Sequence, residues 1–491
     1  MGRVSADGRR HGRAGVHVDS HGQRGAVPGQ RVRVEVALTS RPPAAGAATH
    51  KGVSDWPPCA RTRPLDAWAG RSATSPADRW RCRHWAGEHR EHLRTPSHAD
   101  CDVGGSRPAW YAFGHHVRHG VAVDLGAVLS RGAEVASVKI LVAGYYGCGN
   151  LGDDALLQAL YQNLAGTNIE VVAMAGNPER LQRAIGVRAI PRREVQYFKK
   201  EMKSSAALVF AGGGILQDVT SYFSLRYYTG LIQQAKKMKK PVMMIAQGVG
   251  PVTSVLGKSA ANAALRQVDL LTVRDSMSAG AARALGYPGH VEVTADLAWL
   301  LQAAESSAAE FSVGSMKAVA VSARPWKGEK GLAKVFGEFA QMLFRNGFVP
   351  VLLEMDHEMD RALLDEIAKL HGGRCPDIRN LHTPSEMMAR VARTHGVVAM
   401  RLHAGIFAAK SGIAPLMIAY DPKVTAMAEQ IGIPAPVPLQ GITAQRLWSA
   451  FEALERDRRS ITRTMTERAD AMVALARRNV DILKRQLSLQ A

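Results

Sequence analysis

No stretch of this 491-residue sequence approaches the roughly 20 consecutive apolar residues that a membrane-crossing helix needs. The first residues also lack the apolar core of a signal peptide. Cysteine is scarce. The five present (Cys59, Cys82, Cys101, Cys148 and Cys375) have no disulfide-framework spacing, so the expectation is a reducing, cytoplasmic setting. Other absences gather in residues 1–137, which contain no Ile, no Asn, one Lys (Lys51) and one Phe (Phe113). The same stretch holds 19 Arg, 11 of the 17 His and five of the eight Trp. With few aliphatic residues and little sustained periodicity it cannot build a core, and it is expected to be disordered. An Arg-rich, Lys-poor, Ile-free composition is also what translation upstream of a start site in a GC-rich gene produces, with the protein proper beginning near Val135 to Val138. Cys82, His84 and Cys101 match no zinc-ligand spacing.

The overall composition is that of a soluble globular protein, with 46% hydrophobic and 22% charged residues. The net charge of +20 divides into +8 on residues 1–137 and +12 on residues 138–491. Such an excess points to an anionic partner: nucleic acid, a membrane surface or a phosphorylated substrate. The basic tail carries no motif that reads DNA or RNA.

Lys139 to Leu160, KILVAGYYGCGNLGDDALLQAL, is the stretch around which the rest of the chain is organised. A buried strand (Ile140 to Ala143) runs into a glycine turn and then into an apolar-periodic helix opened by Asp153 and Asp154. Apolar strands then alternate with helical segments. Strands are expected at Ile169–Ala175, Ala206–Ala211, Pro241–Ala246, Leu270–Arg274 and Val291–Thr294, and, after a polar linker, at Lys317–Ser322, Phe348–Leu353, Val397–Met400 and Pro415–Tyr420. Helices are expected over Leu181–Ile185, Leu225–Lys237, Gly257–Val268, Ser276–Leu285, Gly331–Phe344, Glu358–Leu370, Ala404–Lys410 and Ala444 to about Leu487. Thr383-Pro384-Ser385-Glu386 is a helix start with an N-cap threonine, proline at N1 and glutamate at N3. The fold expected is α/β: two doubly wound parallel sheets with a cleft between them and C-terminal helices. The boundaries are 138–301 for the first domain, 302–316 for the linker, 317–435 for the second domain and 436–491 for the helices. Ligands of such sheets sit beyond the carboxyl ends of the strands.

Gly147-Cys148-Gly149-Asn150-Leu151-Gly152 matches GxGxxG, the dinucleotide-binding spacing. Two carboxylates, Asp153 and Asp154, stand where a pyrophosphate would approach, and the second strand ends in Met174 and Ala175 with no acid for a ribose, which argues against that use. Asn150 and Asp153 suit sugar hydroxyls instead, with Asp153 able to take a hydroxyl proton, while one of the two acids serves the helix dipole. Arg274, Arg324, Arg401 and Lys423 each follow an apolar strand, a pattern suited to a small, highly charged anion. His403, beside Arg401, is the natural proton-transfer group. His382 and His395 lack such company and read as structural. Cys148 has no histidine partner and is not expected to act as a nucleophile.

Eight motifs run in the order seen in polysaccharide pyruvyl transferases: GYYGCGNLGDDA (144–155), AGGGILQD (211–218), QGVGP (247–251), TVRDSMS (272–278), TADLAW (294–299), SARPW (322–326), MRLHAGIFAAKSGIAPL (400–416) and YDPKV (420–424). The sequence resembles the CsaB type of that family over residues 138 to about 433. The family usually has GDE where this chain has Gly152-Asp153-Asp154. The resemblance implies two Rossmann-like domains in a GT-B-like arrangement. It implies phosphoenolpyruvate as donor, a sugar diol as acceptor, and a pyruvate ketal and phosphate as products. For the CsaB type, the acceptor is a β-linked N-acetylmannosamine of a lipid-linked precursor of a secondary cell-wall polymer that anchors a surface layer. His403, Arg274, Lys423 and Asp153 are the implied catalytic residues. Arg324, Arg401, Leu402, Asn150, Gly149, Gly152, Gly213, Gly214 and Gln247 are the implied substrate-binding ones. No metal, cofactor or nucleic acid is called for, and work on a lipid-linked acceptor would place the enzyme at the inner face of the cytoplasmic membrane. Two other readings stay open: a nucleotide-sugar glycosyltransferase of the same fold, and a basic anion- or nucleic-acid-binding protein led by its N-terminal tail.

Overall fold

The computed structural model describes residues 137–219, 221–305, 315–372, 375–379 and 381–489. The expected N-terminal extension, including Cys82, His84 and Cys101, lies outside the described residues, as do residues 306–314 of the expected linker.

The first sheet is built from a regular strand–helix alternation. β1 (Val138–Tyr146) leads through the glycine turn into α1 (Leu151–Leu164), followed by β2 (Ile169–Ala175), α2 (Pro178–Ile185), β3 (Arg188–Pro191), α3 (Val195–Ser204), β4 (Ala207–Ala211), α4 (Tyr222–Lys237), β5 (Val242–Gln247), α5 (Val255–Leu265), β6 (Leu270–Val273), α6 (Ser276–Ala284) and β7 (Val291–Val293). The strand order is β3-β2-β1-β4-β5-β6-β7, with every pair parallel. β4 and β5 are buried along their whole length. A parallel sheet covered by helices on both faces requires this, and it is why these strands read as continuous apolar runs.

The second sheet repeats the plan with β8 (Lys317–Ser322), α7 (Leu332–Arg345), β9 (Phe348–Leu353), α8 (Arg361–Leu370), β10 (Asp377–Ile378), α9 (Pro384–Val391), β11 (Gly396–Ala399), α10 (Leu402–Lys410), β12 (Pro415–Ala419), α11 (Pro422–Ile431) and β13 (Val437–Pro438). Its order is β10-β9-β8-β11-β12-β13, again parallel throughout. Both sheets are doubly wound, as expected.

Local chemistry sets several boundaries. α9 opens on a capping box in which Thr383 Oγ1 accepts the Glu386 N–H at 3.1 Å and Glu386 Oε2 accepts the Thr383 N–H at 3.3 Å. The helix expected over Glu358–Leu370 starts instead at Arg361, because the residues before it form an acidic loop that holds cations. β3 and α3 occupy a stretch with no clear apolar period. The two are tied by Arg188, whose guanidinium donates both Nη groups to the Glu201 carboxylate, at 3.0 and 2.6 Å.

The C-terminal segment is one 45-residue helix, α12 (Ala444–Ser488). Its first half packs on the second domain, where the Phe451 ring lies edge-on to Phe339 and Phe348 at centroid distances of 6.3 and 5.2 Å. Its second half returns to the first domain. Asn479, fully buried, accepts from the hydroxyls of Thr272 (2.5 Å) and Thr294 (2.8 Å) and donates to the Ala295 carbonyl (3.1 Å). The helix is therefore a brace across both domains. Among the described residues no helix is long and apolar enough to cross a membrane.

Candidate active site

A doubly wound sheet opens a crevice where its strand order reverses. In the first sheet that point lies between β1 and β4, whose carboxyl ends carry the glycine turn and Gly212 to Gly214. In the second it lies between β8 and β11, which run into Ala323 to Trp326 and Met400 to His403. Topology alone thus brings the glycine turn, Arg324, Arg401 and His403 to sheet crevices.

In the glycine turn the two acids divide their work. Asp154 is buried and its Oδ1 accepts the Gly147 N–H at 2.7 Å, closing the turn. Burial raises its pKa to about 7, with the neighbouring Asp153 adding to the rise and the Gly147 N–H opposing it. Asp153 faces the other way. Its pKa is raised by burial, against the opposing pull of His403, Lys423, Arg401 and Arg274 in that order. Asn150 caps α1, accepting the Gly152 N–H at 3.0 Å, and its amide donates to Asp153 Oδ2 at 2.7 Å.

Gly149 and Gly152 lie against the second domain. The Gly149 carbonyl accepts the His357 N–H at 3.2 Å, and the Leu151 N–H donates to the Met355 carbonyl at 2.9 Å. A Cβ on Gly152 would stand 2.2 Å from His403 Nδ1. Gly213, at φ +84°, would place a Cβ 3.5 Å from Asp153 Oδ1, while Gly214 faces open space. Gln247 departs from expectation. Its side chain is fully buried, and its amide donates to the carbonyls of Phe210, Gly212 and Ile245 at 3.0, 3.0 and 3.1 Å. It ties the ends of β4 and β5 together and does not reach the crevice.

The strand-end cations differ in how they are held. Arg274 is buried, its Nη1 donating to Asp296 Oδ2 at 3.0 Å and its Nε 3.5 Å from Asp275. Gly248 leaves room for it, since a Cβ there would stand 2.7 Å from Nη2. Arg401, also buried, grips Asp360 through Nε at 3.1 Å and through Nη2, which also lies 3.3 Å from Asp356. Lys423 lies 3.5 Å from Asp421 and over the Tyr420 ring at 5.5 Å. Arg324 has no carboxylate partner among the described residues. It lies over Trp326 and Tyr420, 5.3 and 5.2 Å from the ring centroids, and its Nε is buried without a hydrogen bond. Of these four strand-end cations, Arg274 and Arg401 meet buried acids and Lys423 lies near Asp421, while Arg324 has no carboxylate partner among the described residues.

Asp296 links two of these groups. Beyond its bond to Arg274, its Oδ1 accepts the Ala298 N–H at 3.0 Å and faces His403 Nε2 at 3.6 Å. Burial would raise its pKa, but His403, Arg274 and the Ala298 N–H outweigh burial and hold it well below the usual carboxylate range. Leu402, buried beside them, lines a small cavity with Arg274, Asp296, Lys423 and Met427. α10 begins at this point, and no side chain caps its N-terminus. His395, by contrast, stacks on Phe348 and lies 2.9 Å from Glu455, away from the crevices.

Sequence reasoning assigned no role to Asp296, Asp356, Asp360, Tyr420 or Trp326. Asp296, Trp326 and Tyr420 fall inside motifs already singled out, so a signal was present. Asp356 and Asp360 sit in an acidic run whose target, Arg401, is far along the chain.

A family model for polysaccharide pyruvyl transferases matches residues 150–422. The chain belongs to that family. The matched span of this pyruvyl transferase contains Asp153, Arg274, Asp296, Arg324, Arg401 and His403. The amylovoran biosynthesis protein AmsJ of Erwinia amylovora is 22% identical over 371 residues, covering 60% of this chain and 87% of AmsJ. Among solved structures, the S. aureus MnaA–UDP co-structure matches with a TM-score of 0.52 at 13% identity, over 72% of this chain and 97% of that one. A putative UDP-N-acetylglucosamine 2-epimerase from Listeria monocytogenes matches with a TM-score of 0.49 at 13% identity, over 70% and 94%. At such identity the MnaA likeness speaks to fold alone, and the fold is the two-domain, Rossmann-like GT-B arrangement.

Proposed function

We propose that this transferase moves the pyruvyl unit of phosphoenolpyruvate onto two hydroxyls of a sugar in a polysaccharide precursor, forming a cyclic ketal and releasing phosphate. The observation that carries this reading is Arg324, a cation without a carboxylate partner, at the same strand-end crevice as His403. Phosphoenolpyruvate joins a carboxylate and a phosphate on a three-carbon frame, and a planar, unpaired guanidinium suits either group.

In this scheme His403 donates a proton to the methylene carbon of phosphoenolpyruvate, turning it into a methyl group and leaving positive charge on the neighbouring carbon. An acceptor hydroxyl attacks that carbon and gives its proton to Asp153. The second hydroxyl then displaces the phosphate, which leaves with the remaining proton. Arg324 holds the donor, with Arg401 supporting it through the acidic loop. Lys423 and Arg274 balance charge on the departing phosphate. The raised pKa of Asp153 suits a base of moderate strength. No metal or cofactor enters this route.

For the acceptor, the likeness to the CsaB type supports a β-linked N-acetylmannosamine of a lipid-linked cell-wall precursor. The relative named for amylovoran biosynthesis supports polysaccharide synthesis more broadly. The +12 charge on residues 138–491 suits an anionic membrane surface where such an acceptor resides.

The test is phosphate release from phosphoenolpyruvate by the full chain, with and without a lipid-linked N-acetylmannosamine-terminated acceptor, and with His403→Ala as control. Acceptor-dependent release that disappears in the variant supports the reading. Binding of a UDP-sugar with no phosphoenolpyruvate turnover would replace it with a glycosyltransferase.

A further inference from the structure

A second arginine without a carboxylate partner lies in the first domain, outside the proposed donor site. Arg192 comes directly after β3, and its backbone N–H donates to the last carbonyl of β2, that of Ala175, at 2.9 Å. This sets it at the carboxyl edge of the sheet that carries the glycine turn. Its guanidinium lies over three tyrosine rings, 5.1 Å from the centroid of Tyr145, 5.0 Å from Tyr227 and 5.7 Å from Tyr228. Nη1 donates to Cys148 Sγ at 3.2 Å and Nη2 to the Tyr228 hydroxyl at 3.0 Å. Nε is buried with no hydrogen-bond partner.

Nothing in this cage carries a negative charge near neutral pH. Burial pushes the Cys148 thiol and the Tyr145, Tyr227 and Tyr228 phenols upward, so all four stay neutral. Among the described residues no carboxylate is within ion-pair distance of Arg192. A cation held this way gains from the π faces of the rings. It still lacks a counter-charge, whereas Arg188, Arg274 and Arg401 each have one. The adjacent Arg193 adds positive charge at the same edge.

The cage borders the reacting region. Cys148 belongs to the turn that leads into Asp153. Tyr145 is 40% exposed and leads into the glycine turn, whose Gly149 carbonyl accepts the His357 N–H of the second domain at 3.2 Å, which sets it near the cleft. An exposed aromatic face beside an unpaired guanidinium is suited to a sugar ring bearing an acidic group, the ring stacking on Tyr145 and the acid meeting Arg192.

We propose that Arg192 and its tyrosine cage form a subsite for an anionic group, a carboxylate or a phosphate, carried by the acceptor saccharide next to the sugar that receives pyruvate. The assignment of the neighbouring crevice to the acceptor rests on the pyruvyl-transfer reading. The anion site itself does not.

The test is calorimetric titration of the full chain with three probes: glucuronate, glucose 1-phosphate and the neutral methyl glucoside. It is run on an Arg324→Ala background so that Arg324 does not capture the anion. At least one anionic sugar is expected to bind tenfold or more tightly than methyl glucoside, and which one does so separates a uronic acid from a phosphate. Arg192→Gln should erase that preference, Arg192→Lys should keep part of it, and Tyr145→Ala should weaken all three sugars alike. Phosphoenolpyruvate affinity, measured with Arg324 intact, should not change in Arg192→Gln. Equal binding of neutral and anionic sugars, or an undiminished preference in Arg192→Gln, would overturn the proposal. If Arg192→Gln does not fold, the probe preference and the Arg192→Lys and Tyr145→Ala variants decide. Absence of phosphoenolpyruvate binding together with an Arg192-dependent preference would remove the donor reading and leave the anion site standing.

Discussion

Gly152 and His403 come from different domains, yet a Cβ added to Gly152 would stand 2.2 Å from His403 Nδ1 and 2.9 Å from Cγ. Gly152 lies in the first turn of α1, where the backbone itself makes no demand for glycine and alanine is intrinsically favoured. The demand comes from the imidazole. Gly152→Ala is therefore expected to displace His403 and lower kcat by about 10²-fold, the scale of an ångström-sized misplacement of a reacting group. The affinity for phosphoenolpyruvate, held by Arg324, should change little. Wild-type turnover in Gly152→Ala would show that this contact does not set the position of His403.

Arg324 and Arg401 should respond differently to removal. Arg324 has no acid to leave behind, so Arg324→Ala should fold normally and weaken phosphoenolpyruvate binding about 10- to 100-fold, the range expected for a lost charged hydrogen bond. Arg401→Ala strands Asp360 and Asp356 in a buried loop, and breaking a buried pair in this way costs about 3–5 kcal/mol of stability. Calorimetric binding and thermal unfolding of the two variants separate a ligand-binding arginine from one that also holds the fold.

Much of the fold and part of the site were legible in the sequence, and the rest was not for identifiable reasons. Strands buried on both faces are continuous apolar runs, so β4, β5 and β11 stand out, and the Thr383–Glu386 box is a local signature with a fixed spacing. Arg274, Arg324, Arg401 and His403 were visible because each comes after such a run. Their partners were hidden. Asp296 meets His403, and Asp360 meets Arg401, only through tertiary folding, so no spacing announces which cation is spent and which is unpaired. Arg192 was hidden for the same reason: its tyrosines come from β1 and α4. Gln247 sits in a strand-end motif like the others, and only its complete burial distinguishes it.

Asp154 makes the glycine turn sensitive to pH. Its folded pKa, about 7, lies above that of an ordinary aspartate because burial disfavours the carboxylate. The folded state then binds the proton more tightly than the unfolded one. Its contribution to stability is full below about pH 4 and is lost as pH rises through 7. Asp154→Asn keeps an oxygen for the Gly147 N–H and removes the titration. Chemical denaturation across pH should show the variant gaining on wild type between about pH 4 and 7, by an amount on the order of a few kcal/mol, and levelling off above. A difference independent of pH would mean that Asp154 remains ionised throughout.

Asn479 tests the brace. Its amide holds two buried hydroxyls and a carbonyl of the first domain from a helix that is also packed on the second. Asn479→Ala takes one partner from each of these groups, although Thr294 keeps the Val273 carbonyl and Thr272 the Ala246 N–H, and the lost bonds together should cost about 1–3 kcal/mol, read as a lower midpoint in chemical denaturation. An exposed-face change on the same helix, such as Arg456→Ala, should stay within about 0.5 kcal/mol. Equal effects from the two would remove the brace.

The central claim is that His403 protonates the donor's methylene carbon before a sugar diol captures it. The most direct measurement is the reaction of phosphoenolpyruvate, labelled with ¹³C at the carbon that bears phosphate, with a diol acceptor in D₂O, monitored by NMR and mass spectrometry. The account predicts that the label appears as a ketal carbon in the saccharide, beside a methyl group carrying one deuterium, with one phosphate released per ketal and neither product formed by His403→Ala. A product that retains the methylene group as an enol ether, or a ketal formed at the wild-type rate by His403→Ala, would contradict it.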